Sequence, residues 1–451
     1  MYDLFFKQMQ NILGGRFDAF KDAFENKPRH KALRVNTLKI SVDDFVTLAE
    51  KYENGGVRRY GLRLNPLCAA SFYTEVKPST DPLYHAGLYY MQEPSASAAV
   101  AAFSPYIGKR VLDLCAAPGG KSTQAAAFMN GGTLFCNEIE GARARALVEN
   151  LDRLGVSNAV ATVGDAGMYR AAGYDGYFDT LIVDAPCSGG GMMRYETVPY
   201  SEEIVAGCAA RQRAILDDAA ELLCEGGYML YSTCTFAPEE NERNVEYLIG
   251  KGFEPIDVPL REGEERGIGI TEARRIYPHN FDGEGHFYCV LQKRSGGKKS
   301  GLNVERAKPA RLTVGGLALD CYNVRGVDIV APIEASLERL RTVRVGAAVA
   351  EKTANRDRKP TKVRGAKNAP IEFSHAFTHA LDKERVKAVG AVELTMPDAE
   401  KYIRGEQLCA DAPRGNVIAT VEGYALGKAK AALDGAGDVA LKNMYPKSLR
   451  I

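Results

Sequence analysis

The chain has 451 residues, 45% of them apolar and 25% charged. At about 150 residues per domain this is a folded, globular protein of roughly three domains, which excludes a small binding module, a disordered chain and a fibrous repeat. Lys plus Arg (58) against Asp plus Glu (57) leave a net charge of +1, so only a local basic patch could favour nucleic acid.

The first ten residues, MYDLFFKQMQ, lack the order of a secretory signal, and no run approaches the ~18 apolar residues of a membrane span, so a cytoplasmic location is expected. Phe5, Met9, Ile12, Phe17, Phe20 and Phe24 recur at helical spacing, and a small lobe mixing helix and strand is predicted over 1–88. From 89 onward, short apolar runs alternate with amphipathic ones. VLDLC (111–115), TLFCNE (133–138), AVATVG (159–164), TLIVDAP (180–186), GYMLYSTC (227–234) and HFYCVLQK (286–293) read as strands. Helices are predicted over 141–155 and 211–227. This alternation predicts a mostly parallel, doubly wound α/β sheet over 89–294.

At RSGGKKSG, beginning with Arg294, periodicity stops, and a separate piece is expected over 295–382. From Arg294 to Lys367 there are 17 Lys or Arg against 7 Asp or Glu. Such an excess is read either as a solvated face or as an arm for phosphate contacts. Short apolar runs between Gly, Pro and Asp over 383–451 predict a compact β-rich module.

Ten cysteines are too dilute for a disulfide scaffold, and none stands in a CxxC or CxxH pair. They are read as reduced thiols, and no metal site is assigned. His279 and His286 are too few for one; they are expected to shape a loop near the substrate pocket.

In VLDLCAAPGGKSTQAAAF a strand runs into a turn with Pro118, Gly119 and Gly120, and a helix starts near Lys121. The N–H groups of a helix start favour an anionic or carboxylate ligand, and glycine permits close approach, which points to a nucleotide-like cofactor. GxGxxG is absent, and a Walker loop would need glycine where Cys115 stands. A P-loop nucleotidase built on GGKS is therefore the weaker alternative. Glu138 ends the next strand, where a carboxylate can accept both hydroxyls of a ribose. Asp165, after the third strand, could meet an adenine amino group. Each could instead cap a helix. With Asp113 near the first strand, they favour S-adenosylmethionine, which has adenine, ribose and a carboxylate but no pyrophosphate.

DAPCSGGG (184–191) follows the fourth strand and YSTCTF (231–236) the fifth. Both cysteines are thus expected at the carboxyl edge of one sheet, in Gly-, Pro-, Ser- and Thr-rich loops beside the cofactor cleft. A lone cysteine is more often a small buried hydrophobe; two facing one cleft suggest chemistry.

RVNTLK (34–39), MQEPSA (91–96), DLCAAPGGKS, DAPCSG, YSTC, EENERNV (239–245) and RIYPHNFDGEGHFYC (275–289) together resemble the NOL1/NOP2/Sun family of RNA cytosine-C5 methyltransferases, over about 30–293. The segment ending ALKNMYPKSLR is similar to the tail of the bacterial RsmF-type branch, which methylates 16S ribosomal RNA. That tail usually carries Gly-Trp-Gly-Lys and Asn-His-Tyr-Pro; here stand Leu426, Gly427 and Lys428, then Asn443, Met444 and Tyr445, and the chain has no Trp. The resemblance implies a class I, Rossmann-like S-adenosylmethionine-dependent methyltransferase domain, an N-terminal α+β RNA-contacting lobe, and a PUA-like RNA-binding tail.

It also implies roles. Cys234 is the nucleophile that adds to C6 of cytosine, and Cys187 assists breakdown of the adduct. Asp184 faces N3 and N4 of the base and belongs to the cofactor site as well. Lys121 lies near the methionine part and the base, where it could lower the pKa of the Cys234 thiol. The turn Cys115, Ala116, Ala117, Pro118, Gly119 and Gly120 takes the methionine end, Glu138 the ribose and Asp165 the adenine, with Arg143 as a further contact. The partner is RNA, as 16S rRNA or the small ribosomal subunit, the enzyme is expected to be a monomer, and no membrane or metal is expected. A transfer RNA substrate and a non-catalytic ribosome-assembly factor are the alternatives; intact Cys187, Cys234, Asp184 and Lys121 argue against the second.

Overall fold

A computed structural model describes residues 2–450 apart from 53–58, 195, 298–299, 303, 305–307, 315–316, 351–372, 411 and 434–438. The chain opens with helices α1 (Asp3–Leu13) and α2 (Phe17–Asn26). Their spaced apolar residues form one face, which packs Phe5, Met9, Phe20 and Phe24 onto Met193, Phe236 and Tyr277. Next come β1 (Ala32–Val35), α3 (Val42–Lys51), β2 (Arg63–Leu64), β3 (Ser71–Tyr73), α4 (Pro82–His85) and β4 (Tyr89–Met91). The strands form an antiparallel sheet in the order β2-β3-β1-β4.

The central region comprises α5 (Ala96–Phe103), β5 (Arg110–Asp113), α6 (Gly120–Phe128), β6 (Thr133–Glu138), α7 (Gly141–Arg153), β7 (Ala159–Val163), α8 (Gly167–Ala171) and β8 (Phe178–Asp184). It continues through α9 (Glu202–Leu222), β9 (Leu223–Thr233), α10 (Glu242–Ile249), β10 (Phe253–Ile256), β11 (Glu264–Arg266), β12 (Arg274–Ile276) and β13 (His286–Lys293). Strands β7, β6, β5, β8 and β9 lie parallel in that order, and β13 returns antiparallel beside β9. Two apolar cores cover the two faces, one around Phe135, Leu181 and Tyr231, the other around Val111, Leu134 and Ile182. Strand order reverses at β5, so a crevice opens at the carboxyl ends of β5, β6 and β8, where such sheets bind their ligands.

Helix α9 differs from the expected 211–227. Ser201 caps it by accepting the Ile204 N–H, and it ends at Leu222. Leu222 and Leu223 are both fully buried; the apolar run continues unbroken across the helix-to-strand change, so periodicity carries no mark of it.

Beyond Arg294 a three-stranded meander forms, β14 (Pro309–Val314), β15 (Leu317–Val324) and β16 (Val327–Ile329). Strand β17 (Thr342–Val345) then pairs antiparallel with β7, at the edge of the central sheet. Ile329, Ile333, Leu337 and Leu340 join the central core, and the Tyr174 and Tyr177 hydroxyls donate to the Ser336 and Glu334 carbonyls at 2.7 and 3.0 Å. The stretch 329–345 is therefore built onto the central sheet rather than forming a separate piece. It covers an open strand edge, and that pairing leaves no periodic trace in its own sequence. The basic run 352–367 lies outside the described residues.

The tail holds α11 (His375–Ala380), α12 (Lys383–Val389), β18 (Ala391–Glu393), α13 (Met396–Ile403), β19 (Leu408–Cys409), β20 (Gly415–Val421), β21 (Tyr424–Leu433) and β22 (Val439–Asn443). Its five strands order as β18-β20-β21-β22-β19. The tail shares one apolar core with the N-terminal lobe, in which Leu33, Phe45 and Tyr89 meet Val392, Tyr402, Leu426 and Tyr445. His85 Nδ1 lies 2.7 Å from the Tyr445 hydroxyl. Leu426 and Tyr445 thus serve packing. Among the described residues no helix is long and apolar enough to cross a membrane, and no group of three or more His, Cys, Asp or Glu could hold a metal ion.

Candidate active site

The glycine turn occupies the crevice where strand order reverses. Gly119 caps α6 at φ +108, a conformation that disfavours any side chain, and a Cβ at Gly120 would lie 3.3 Å from the Tyr90 ring. The turn is held from both sides. Arg143 on α7 donates to the Ala117 carbonyl at 2.9 Å, and Asn150 to that of Pro118 at 3.0 Å. From the N-terminal lobe, buried Arg34 donates to Thr123 Oγ1 (2.8 Å), the Gly120 carbonyl (3.2 Å) and Gln92 Oε1 (2.7 Å). Arg34 of RVNTLK, held by Gln92 of MQEPSA, therefore braces a turn 86 residues further along the chain, a role that nothing in the local sequence signals.

Ser122 Oγ donates to Asp113 Oδ2 at 2.6 Å, while Asp113 Oδ1 is buried without a hydrogen bond. Burial, opposed by Ser122 and reinforced by the Asp184 charge, pushes this carboxyl up to about 7. At the end of β6, Glu138 is 2% exposed. Its Oε1 accepts the Glu140 N–H at 3.1 Å; its Oε2 lies 3.3 Å from Arg143 Nη1 but makes no hydrogen bond. Asp165 is exposed, and its Oδ1 accepts the Met168 N–H at 3.0 Å across the start of α8, so the helix-capping alternative also describes it.

The other residues converge where β8 and β9 end and β13 begins. Cys187 and Cys234 bring their sulfurs to 3.1 Å. Lys121, buried rather than surface-exposed, places Nζ 2.8 Å from Asp184 Oδ2, and Ser232 Oγ donates to Asp184 Oδ1 at 2.8 Å. Burial works to raise the Asp184 carboxyl, but Lys121, with His286 and Ser232, outweighs it and holds the group below the usual carboxylate range. The hydrogen bond with Cys187, then burial and the Asp184 charge, push the Cys234 thiol well up; Lys121 pulls the other way and is outweighed. Lys121 thus acts in the expected direction on this thiol, but in the resting site the Cys187 hydrogen bond and burial outweigh it.

One helix start ties the two cysteine loops together. Buried Glu240 accepts from the Ser188 N–H (3.0 Å), Ser188 Oγ (2.5 Å) and Gln212 Nε2 (2.8 Å). Its neighbour Asn241 accepts from Thr233 Oγ1 (2.6 Å) and donates to the Thr235 carbonyl (3.0 Å), on either side of Cys234. EENERNV is the only sequence signal for this clamp, and it reveals no role. Of the two histidines, His286 joins the cluster, with Nε2 3.9 Å from Asp184 Oδ1. His279 instead stacks on Tyr277 and meets Phe20 edge-on.

A parallel sheet whose order reverses at a glycine turn, with carboxylates after successive strands, defines a Rossmann-like methyltransferase domain. Residues 100–292 match the model for the 16S rRNA methyltransferase RsmB/F family, 2–94 that for the N-terminal domain of 16S rRNA methyltransferase RsmF, and 389–451 that for the RsmF PUA domain. The ribosomal RNA small subunit methyltransferase F of Erwinia tasmaniensis is 31% identical, covering 99% of this chain and 96% of its own; that of Klebsiella pneumoniae is 31% identical over 96% and 92%. A methyltransferase homologue from Pyrococcus horikoshii superposes with a TM-score of 0.56 at 30% identity, over 64% of this chain and 94% of the other. The chain belongs to the RsmF family of ribosomal RNA small subunit methyltransferases.

Proposed function

We propose that this enzyme transfers a methyl group from S-adenosylmethionine to C5 of a cytosine in 16S rRNA, through a covalent bond between Cys234 Sγ and C6. The observation that carries the reading is the pair of sulfurs at 3.1 Å beside the Lys121–Asp184 ion pair. Buried Glu138 Oε2, which has no hydrogen bond, suits the vicinal hydroxyls of a ribose. The start of α6 and its glycine turn suit a carboxylate, and Asp165 suits an adenine amino group, so Cys115 to Lys121, Glu138, Arg143, Asp165 and Asp184 would hold the cofactor. When bound, it supplies an electrophilic methyl group on a sulfonium.

C5 of cytosine is a poor nucleophile until a thiolate adds to C6. Cys234 loses its thiol proton to solvent as the S–C6 bond forms, with the Lys121 ammonium opposing the rise of its pKa. The C5–C6 electron pair then becomes available at C5, which gains the methyl group. As C6 is attacked, N3 becomes more basic and takes a proton from solvent, ionised Asp184 stabilises the ring so protonated, and that proton returns to solvent when the adduct breaks down. Once the C5 proton leaves to solvent, the S–C6 bond breaks, the ring double bond returns, and the Cys187 thiol protonates the departing sulfur and is itself reprotonated from solvent. C6 must be open to perpendicular attack, so the base is unpaired or flipped out.

The domains are taken as an RNA-contacting lobe (1–88), the catalytic domain (89–294) extended by the stretch 329–345 that packs on its sheet, a basic linker and intermediate region in the rest of 295–382, and a PUA-like RNA-binding module (383–451), in a cytoplasmic monomer acting on rRNA or the small subunit. Bisulfite sequencing of ribosomal and transfer RNA from cells with and without the protein tests the reading. The expected result is one or more 16S rRNA cytosines that lose protection with the gene; a loss confined to transfer RNA, or none, contradicts it.

A further inference from the structure

His286 is 3% exposed, and its Nε2 has no hydrogen-bond partner, a rare condition for a buried polar atom. Its backbone is pinned, since His286 pairs with Ile276 on β12. The β13–β9 ladder ends at the rung Phe287–Thr233, so His286 and Cys234 are the next residues along the two strands. Burial and the Lys121 charge, opposed by Asp184, press the imidazole down to about 3, and the ring is neutral, with one N–H to give. In the tautomer that carries the proton on Nε2, the N–H has no acceptor in the protein: Asp184 Oδ1 is 3.9 Å away, beyond hydrogen-bond reach, and already accepts from Ser232.

The Watson–Crick edge of cytosine presents N4, N3 and O2 in a row. A carboxylate that takes N4 and N3 leaves O2 as the next atom, and O2 needs a donor. His286 lies beside Asp184 at the separation suited to two groups meeting neighbouring atoms of one base edge. We propose that His286 Nε2–H donates to O2 of the target cytosine, making it a further substrate-contacting residue of the reaction. The inference rests on the function proposed above. Attack at C6 drives electron density through the ring toward N3 and O2, so this hydrogen bond is stronger in the transition state than in the ground state. A neutral donor does so without cancelling the Asp184 charge.

The test combines enzyme and substrate changes in single-turnover methyl transfer, using a 16S rRNA transcript that the wild-type enzyme methylates and the same transcript made with 2-thiocytidine. His286→Ala is expected to lower the rate about 100-fold, the scale seen when one transition-state donor is removed, with unchanged S-adenosylmethionine affinity. His286→Gln, which keeps a neutral N–H, should recover most of that loss. Replacing O2 by sulfur should slow the wild-type enzyme but have little further effect on His286→Ala. An equal effect of sulfur on both enzymes would overturn the contact, as would a wild-type rate in His286→Ala. Cys234→Ser run in parallel separates the two levels: methylation by that variant removes the parent reading, whereas a fully active His286→Ala beside an inactive Cys234→Ser overturns this assignment alone.

Discussion

The sulfur of Cys187 lies 3.1 Å from that of Cys234, although the two residues are 47 positions apart and follow different strands. Neither loop holds this approach by itself. Glu240 grips the first through Ser188, and Asn241 grips the second through Thr233 and Thr235. Because β8 and β9 are parallel neighbours, their carboxyl ends deliver the two thiols to one point, and the start of α10 secures both.

Glu240→Ala should therefore act at a distance from the chemistry. It leaves the Ser188 N–H and the Gln212 amide without their buried acceptor, and a loss of about 3 kcal/mol is expected in urea unfolding. Methyl transfer should fall with it, and Glu240→Gln should be milder in both. An unchanged unfolding midpoint in Glu240→Ala contradicts the clamp.

Glu138→Ala should weaken S-adenosylmethionine binding about 10- to 100-fold, the range for losing a charge-assisted hydrogen bond, while RNA affinity is kept. Titration calorimetry with the cofactor, beside filter binding of RNA, reads the two separately. Equal weakening of both would move Glu138 out of the cofactor site.

His375 and His379 stand on α11, which packs against α7. Burial first, and then Lys39, press His375 down to about 3 and His379 well below its ordinary value. Between the unfolded value near 6.5 and the lowered folded value, the unfolded chain binds more protons, so stability falls as pH drops through this window. The slope approaches about 1.4 kcal/mol per pH unit for each histidine. Chemical denaturation between pH 7 and about pH 5 should show this loss, and His375→Gln should make it shallower. Identical slopes in variant and wild type contradict the assignment.

Much of the site is legible without a structure. Apolar runs that end in DAPC and YSTC place both cysteines at one sheet edge, and the Pro-Gly-Gly turn marks the start of α6. What cannot be read arises from contacts distant in sequence. The Arg34 brace of the glycine turn is one such contact. Others are the pairing of Thr342–Val345 with β7 and the core that Leu33 and Tyr89 share with Leu426 and Tyr445. Each joins surfaces far apart in the sequence, so no local pattern announces it. The direction of the Cys234 shift is hidden for the same reason: it depends on how close Cys187 and Asp184 come.

The proposed reaction requires bond formation at Cys234, and the most direct measurement is denaturing electrophoresis with mass spectrometry after incubating Cys187→Ser with 16S rRNA and S-adenosylmethionine. With breakdown impaired, an RNA–protein adduct attached through Cys234 should persist, and it should vanish in the Cys187→Ser/Cys234→Ser double variant. An adduct that survives loss of Cys234, or undiminished methyl transfer by Cys234→Ser alone, would contradict the mechanism.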